Sequence, residues 1–398
     1  MEMKTKIETV AVVFGGRSGE HEVSIITAHQ VMDALEVAGY SLLPIYISKD
    51  GEWFAGQKLN NLKLFTGKDL NLNKLDEVWK VSLSPDRSIR TLLLHPEGKR
   101  GLFRKPPQLW ADVFFPTIHG SFGEDGTLQG LFELADVPYV GSNVLASAVG
   151  MDKSKMKDFS RAAGIPILEC ITLSRNEFQR DPQTNLGRLE SFCKYPLMVK
   201  PLRLGSSIGV KRCNNSEELK EAIEVAFLLD SDILAERALG TFTEVNCSVI
   251  GPPEQASVCE QALTSGDILS FESKYKEGDK KTSPSGQKGG MASAKRIVPA
   301  PLSPSQSKRI QDLAVKAFRA IGASGVARLD FLIDQSNEAL FLNEINTMPG
   351  SLAFYLWEAS GLPFDRLVKK VIDIGLESYA AKSGTKFSFE ANLLVSSK

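Results

Sequence analysis

The stretch from Val326 to Gly350, VARLDFLIDQSNEALFLNEINTMPG, constrains this chain more than any other. Two apolar runs, VARLDFLI at 326–333 and ALFLNEIN at 339–346, flank the polar DQSNE at 334–338. Apolar runs of strand length around turn-forming residues predict a β-hairpin. Residues two apart on a strand share a face, so Arg328 and Asp330 point one way, as do Glu344 and Asn346. A turn centred on Asn337 sets Asp330 opposite Glu344 and Arg328 opposite Asn346. One sheet face then carries two carboxylates, an amide and a guanidinium among apolar neighbours. Carboxylates that close repel unless something positive lies between them. An oxygen-only donor set without Cys or His suits Mg²⁺, with water or substrate phosphates completing the shell. Arg328 would meet a developing negative charge. The competing reading is a solvated hairpin face with a salt bridge.

The amino-terminal part reads as a βαβ opening. TVAVVF at 9–14 is a buried strand ending in Gly15-Gly16, a helix follows to about Gly39, and Leu42 to Ile47 is the next strand. That pattern predicts a parallel sheet covered by helices. The glycines do not keep G-x-G-x-x-G spacing, which counts against a dinucleotide oxidoreductase. Residues 49–110 are polar and mixed, an elaboration of this first domain. Residues 111–118 form another strand, and His119 sits at its carboxyl end, where ligands of open α/β sheets gather. A helix at 127–135 and a short return strand at 137–141 complete the domain.

Further along, a helix is expected from Ser147 to Ala163, and a strand from Tyr195 to Val199 leads into KPLRLGSSIG at 200–209. Glycines there let backbone N–H groups approach an anion, Ser206 and Ser207 add donors, and Lys200 adds charge. The alternative is an ordinary tight turn with a surface lysine. A helix at 216–228 carries a Ser216 cap, and Ile233 to Ala235 begins a strand crossing into the last domain. Glu236 and Glu244 bracket ERALGTFTE and are placed to hold a ribose or an amine, or else are solvated strand ends. Strands at 242–250 and 256–263 precede a long polar loop at 275–294, of a length that often marks a lid. A helix at 303–321 leads back to the hairpin.

At 398 residues the chain has room for two or three domains. A net charge of −1 gives no general pull toward nucleic acid or anionic membrane, and neither is expected as a partner. The five cysteines are scattered, with no CxxC, as in a reduced cytoplasmic protein. No run reaches transmembrane length and no signal-peptide core opens the chain.

Taken together these stretches resemble the D-alanine–D-alanine ligase family of the ATP-grasp superfamily. The matching pieces are GGRSGEHEVS at 15–24, HGSFGEDGTLQGLFE at 119–133, VPYVGSNVLASAVGMDK at 137–153, VKPLRLGSSIGV at 199–210, SKY at 273–275, and ARLDF at 327–331 with LFLNEINTMPG at 340–350. They run in family order over most of the chain and cover residues 49–110 poorly. The resemblance implies an α/β, three-domain ATP-grasp architecture, divided as 1–141, 142–233 and 234–398. It implies ATP-dependent joining of two D-alanines through an acylphosphate for peptidoglycan synthesis, with Mg²⁺, or Mn²⁺ in its stead, and a homodimer.

By motif match, Asp330, Glu344 and Asn346 are the expected metal ligands. Arg328 and the N–H of Gly350 are the expected oxyanion stabilisers. Lys153, Lys200, Ser207 and Lys274 fall on the nucleotide phosphates, and Glu236 and Glu244 at the adenine and ribose positions, one residue further apart than the family pattern. Glu20 matches the carboxylate that holds the first substrate's ammonium, with His119 in the same pocket. Ser206 and Tyr275 match the residues that tie loop and lid to Glu20. One departure stands out: where the family carries a serine five residues after the Pro-Gly glycine, on the acceptor's carboxylate, this chain has Tyr355, with Ser351 next to Gly350. Either Ser351 or a backbone N–H takes over, the pocket is reshaped for another acceptor, or Tyr355 packs with Phe354 and Trp357. The rival functions are a carboxylate–amine ligase with a different acceptor and a nucleotide-binding regulator without catalysis. Retention of Arg328 disfavours the second.

Overall fold

The computed structural model describes residues 7–67, 70–95, 107–263 and 295–388. The expected lid loop, with Lys274 and Tyr275, lies outside the described residues. The strands are β1 Thr9–Gly15, β2 Ser41–Ile47, β3 Trp53–Ala55, β4 Trp79–Ser82, β5 Leu93–Leu94, β6 Val113–Pro116, β7 Cys170–Ser174, β8 Leu197–Pro201, β9 Lys211–Cys213, β10 Asp232–Arg237, β11 Phe242–Gly251, β12 Gln255–Ala262, β13 Arg296–Ile297, β14 Gly325–Asp334 and β15 Leu340–Asn346. They form three sheets, ordered β5-β4-β3-β2-β1-β6, β7-β10-β8-β9 and β13-β12-β11-β14-β15.

In the first sheet β1 pairs in parallel with β2 and β6, as the βαβ opening requires. Residues 49–110 supply β3, β4 and β5, an antiparallel extension at its edge. The return strand expected at 137–141 is only an isolated parallel bridge between Phe114 and Tyr139. Pro138 accepts from the Phe114 N–H but has no N–H of its own to extend a ladder. For the same reason β8 starts at Leu197, after Pro196, and not at Tyr195.

The single helix expected from Ser147 to Ala163 is two, Val144–Met151 and Lys153–Ala162. Asp152 breaks it: its backbone is extended, and its carboxylate accepts from the N–H groups of Ser154 and Lys155. The break starts a new helix at Lys153. The helix Ser216–Leu229 is capped by Asn215, which accepts from the Glu218 N–H, and not by Ser216.

Strand β10 stays wholly within the four-stranded sheet, between β7 and β8. The boundary expected between residues 233 and 234 therefore falls inside a strand. Chain order misleads elsewhere too. The helices Val144–Met151 and Lys153–Ala162 bury Ala146, Val149 and Met156 in one core with Val245, Phe318 and Leu329 of the five-stranded sheet and its helix. The helix Phe364–Ser383 buries Leu367, Val368 and Val371 in the core that holds Val10 and Phe14. Apolar faces go to whichever surface buries them.

The hairpin is β14 and β15. Asp330 pairs with Glu344 and Arg328 with Asn346, the register expected. Beyond that pair Phe331 faces Leu342, so Asn343 is an extra residue in β15 and the reversal is shifted from a turn centred on Asn337. A bulge bends the strand and re-aims its side chains.

Candidate active site

The four- and five-stranded sheets face each other across a cavity lined by Lys153, Lys200, Ser207, Glu236, Glu244 and Glu344, with an apolar side from Leu168, Met198, Val210, Leu239, Phe242 and Leu332. Apolar walls with a few convergent charges are the composition of a small-molecule site. Neighbours in a regular strand point to opposite faces, yet Asn343 and Glu344 both line this cavity. The bulge explains it, and the Asn343 side chain accepts from Lys200 Nζ at 3.1 Å.

Glu236 is 1% exposed and lies between two ammoniums, Lys157 Nζ at 2.7 Å and Lys200 Nζ at 2.5 Å. Burial opposes its charge, but Lys200 and Lys157 together hold its pKa down at about 2. Expected to hold a ribose or an amine, and by family match at the adenine position, Glu236 lines the cavity and accepts from both lysines. Lys157 is a residue the sequence reading missed. The signal was its spacing, four residues after Lys153 and so on the same helix face. Lys153 is buried too, with Nζ 2.5 Å from the Leu204 carbonyl oxygen, and burial lowers its pKa against the pull of Glu344.

On the hairpin face Arg328 makes two bonds to Asp330, Nε–Oδ1 at 2.7 Å and Nη2–Oδ2 at 2.6 Å. Asn346 Nδ2 adds a third to Oδ2 at 3.1 Å. Burial pushes the Asp330 carboxyl up against the opposing pull of Arg328. Burial likewise opposes the charge of Arg328, and Asp330, with smaller help from Tyr355 and Glu260, holds its pKa well above the ordinary range. The polar row runs further than the hairpin. Asn246 on β11 pairs with Asp330 on one side and Glu260 on β12 on the other, giving the transverse row Glu260, Asn246, Asp330, Glu344. Asn246 and Glu260 were also missed. Glu244, Asn246 and Ser248 alternate through an otherwise apolar strand, and that period of two was the available signal. Among the described residues no three His, Cys, Asp or Glu side chains are spaced to hold a metal by themselves. Two carboxylates and an amide fit an ion that takes its other ligands from phosphate oxygens and water.

The loop at 205–209 meets the first domain. The Ser206 hydroxyl donates to Glu20 Oε1, and Ser206 and Ser207 both adopt left-handed backbone, φ 54° and 58°. Opposite them, a Cβ on Gly120, φ 73°, would lie 2.7 Å from Glu20 Oε2, so glycine leaves that carboxylate its place. His119 is buried with Nε2 2.9 Å from Thr27 Oγ1, which also accepts from the Ser351 N–H at 3.1 Å. Burial, and then the charge of Arg328, hold the His119 pKa at about 4, so its ring is neutral. Glu124, in the HGSFGEDG stretch, accepts from the N–H groups of Gly120 at 2.8 Å and Met348 at 3.0 Å. Burial and the charge of Glu20 push its pKa up to about 8.

After Gly350 the chain takes a cramped path: Ser351, Leu352 and Ala353 all have φ near 50° and all are buried. Three consecutive non-glycine residues in that region store strain, which tends to collect at ligand sites. The run delivers Tyr355, whose hydroxyl donates to Glu260 Oε1 at 2.9 Å. Its ring also touches Phe354, while Trp357 turns away to donate to Ser248 Oγ. Tyr355 is thus tied to the polar row as well as packed on its helix.

The family profile described as D-ala D-ala ligase N-terminus matches residues 9–142, and that described as D-ala D-ala ligase C-terminus matches residues 159–373. A D-alanine--D-alanine ligase of Heliobacterium modesticaldum is 36% identical over 94% of this chain and 96% of its own. One from Listeria welshimeri is 35% identical over 98% and 100%. Among solved structures, the D-alanine-D-alanine ligase of Coxiella burnetii superposes with a TM-score of 0.76 at 28% identity, covering 95% of this chain and 97% of that one. The VanG D-Ala:D-Ser ligase of Enterococcus faecalis superposes with a TM-score of 0.75 at 30% identity, covering 93% and 100%.

Proposed function

Because this chain belongs to the D-alanine–D-alanine ligase family, and so has the ATP-grasp fold, we propose that it joins two D-alanines, driven by ATP, for peptidoglycan synthesis. The observation that carries the reading is the meeting of three parts at one place. These are the Glu20–Ser206 contact, the cavity with Lys153 and Lys200, and the hairpin face with Arg328.

The chemistry follows from what each part is able to do. A carboxylate resists attack by an amine until one oxygen becomes a good leaving group. Transfer of the γ-phosphoryl group from ATP to the first D-alanine gives an acylphosphate and ADP. The free amine of the second then attacks the carbonyl carbon, forming the C–N bond and a tetrahedral oxyanion. Collapse breaks the C–O bond, phosphate leaves and the amine loses a proton. Such steps need alignment and neutralised charge more than a protein nucleophile.

Glu20 holds the first substrate's ammonium and Ser206 orients Glu20, with His119 and Glu124 walling the same pocket. Lys153, Lys200 and Ser207 take the nucleotide phosphates, and Glu244 the ribose. Arg328 and the Gly350 N–H stabilise the oxyanion. Asp330, Glu344 and Asn346 would hold Mg²⁺, which supplies charge neutralisation at the phosphates when bound. On the same reading the protein works in the cytoplasm as a homodimer. Its five cysteines are all free, and among the described residues no helix is long and apolar enough to cross a membrane.

The test is phosphate release from Mg-ATP with mass detection of product, across D- and L-amino acids and D-hydroxy acids. D-alanine must stimulate release and L-alanine must not; equal stimulation by both overturns the proposal. The runner-up is ligation of D-alanine to a different acceptor, which Tyr355 at the place of the family's serine favours.

A further inference from the structure

The polar row on the five-stranded sheet does not stop at the Asp330–Glu344 pair. At its far end four side chains close on one another. Glu260, 2% exposed, accepts from Asn246 Nδ2 at 3.0 Å and the Tyr355 hydroxyl at 2.9 Å through Oε1, and from Arg296 Nη1 at 3.0 Å through Oε2. The Arg296 guanidinium lies over the Tyr355 ring, 3.8 Å from its centroid. Its plane is thus fixed by a carboxylate at one edge and an aromatic face beneath. That is the preorganisation with which a guanidinium, five donors in a planar fork, recognises a carboxylate.

Two further observations point to a ligand here. Asn246 Oδ1 has no hydrogen-bond partner among the described residues, although the residue is only 2% exposed. The same holds for Ser351 Oγ, beside Gly350, in a residue 1% exposed. Buried polar atoms are nearly always paired, by protein, water or ligand. The strained run from Ser351 to Ala353 is what brings Tyr355 to the row.

We propose that Arg296 is the carboxylate receptor for the second amino acid, with Glu260 and Tyr355 as its positioning residues. This deepens the ligase reading and rests on it. The acceptor's amine has to reach the carbonyl carbon beside Arg328, so its carboxylate lies further along the same face. Arg296 meets it there. The Tyr355 hydroxyl, committed to Glu260, does not itself replace a serine on that carboxylate.

The test compares D-alanine with D-alaninamide, which lacks the carboxylate, as acceptor. Both are measured in the full-length protein, its Arg296→Gln variant and its Tyr355→Phe variant. The wild type is expected to favour D-alanine by about a hundredfold or more in kcat/KM, the scale of discrimination when a buried polar site loses its partner. Arg296→Gln is expected to bring the ratio below about tenfold. Tyr355→Phe is expected to raise the acceptor KM several-fold, reduce the ratio part-way and leave the KM for ATP unchanged. A cluster that merely latches β12 and β13 to the helix Phe354–Ala359 would lower the melting temperature of both variants while leaving the ratio at its wild-type value, and that result overturns the proposal. Tyr355→Phe keeps the test decisive if Arg296→Gln does not fold. The ligase reading is judged separately, by D-alanine-dependent phosphate release in the wild type; if that is absent, both readings fall.

Discussion

Lys157 and Lys200 reach Glu236 from different elements, a helix and β8, and close on its two carboxylate oxygens inside the protein. Breaking a buried ion pair by removing one partner leaves charge uncompensated, at a cost of about 3–5 kcal/mol. Glu236→Gln is therefore expected to lower unfolding free energy by that order near neutral pH. The sign with pH follows from the depressed carboxyl. Its stabilising effect is fully present above the ordinary value of 4.5 and is lost as pH falls toward about 2. The gap between denaturant melts of wild type and variant should narrow as pH falls from 5 toward 2; a gap that stays constant would mean the pair contributes nothing through charge.

Glu344→Gln is nearly isosteric, so packing hardly changes, but one negative charge leaves the face opposite Asp330. Turnover is expected to fall on the order of a hundredfold or more, as when an electrostatic stabiliser is removed. Assays across a magnesium titration, with a melting curve beside them, check it. Near-normal turnover at saturating magnesium would reduce the hairpin to a surface.

Ser206→Ala removes the hydroxyl that donates to Glu20. A hydrogen bond to a charged group contributes about 1.5–3 kcal/mol. The KM for the first D-alanine is expected to rise roughly tenfold or more, with little change in that for ATP. Two-substrate kinetics separate the effects, and an unchanged first-site KM would show that Glu20 needs no such support.

His119 is expected to stay neutral throughout the physiological range, because its pKa sits at about 4. A group that binds its proton less tightly when folded makes stability fall as pH drops from its ordinary 6.5 toward that value, here by about 3 kcal/mol. Imidazole NMR should show no titration of this ring between pH 5 and 8, and His119→Gln should flatten the acid limb of the stability curve. A midpoint near 6.5 would contradict the burial argument.

The sequence by itself determined the hairpin and the pairing of Asp330 with Glu344 and Arg328 with Asn346. Turn residues and a period of two are local properties, readable without knowing what the strands pack against. It also determined the parallel opening of β1 and β2. Only the tertiary structure decided who partners whom. The Ser206–Glu20 contact spans 186 residues, and that of Glu124 with the Met348 N–H spans 224. Neither leaves a trace in spacing. Glu236 looked like a receptor for an incoming group and turned out to be held by two lysines, because a buried carboxylate takes the nearest cations that folding brings to it. The extra residue at Asn343, which turns that side chain into the cavity beside Glu344, depends on how β15 accommodates β14. Periodicity fixes which face a side chain takes; burial and charge pairing between distant segments decide what it meets there.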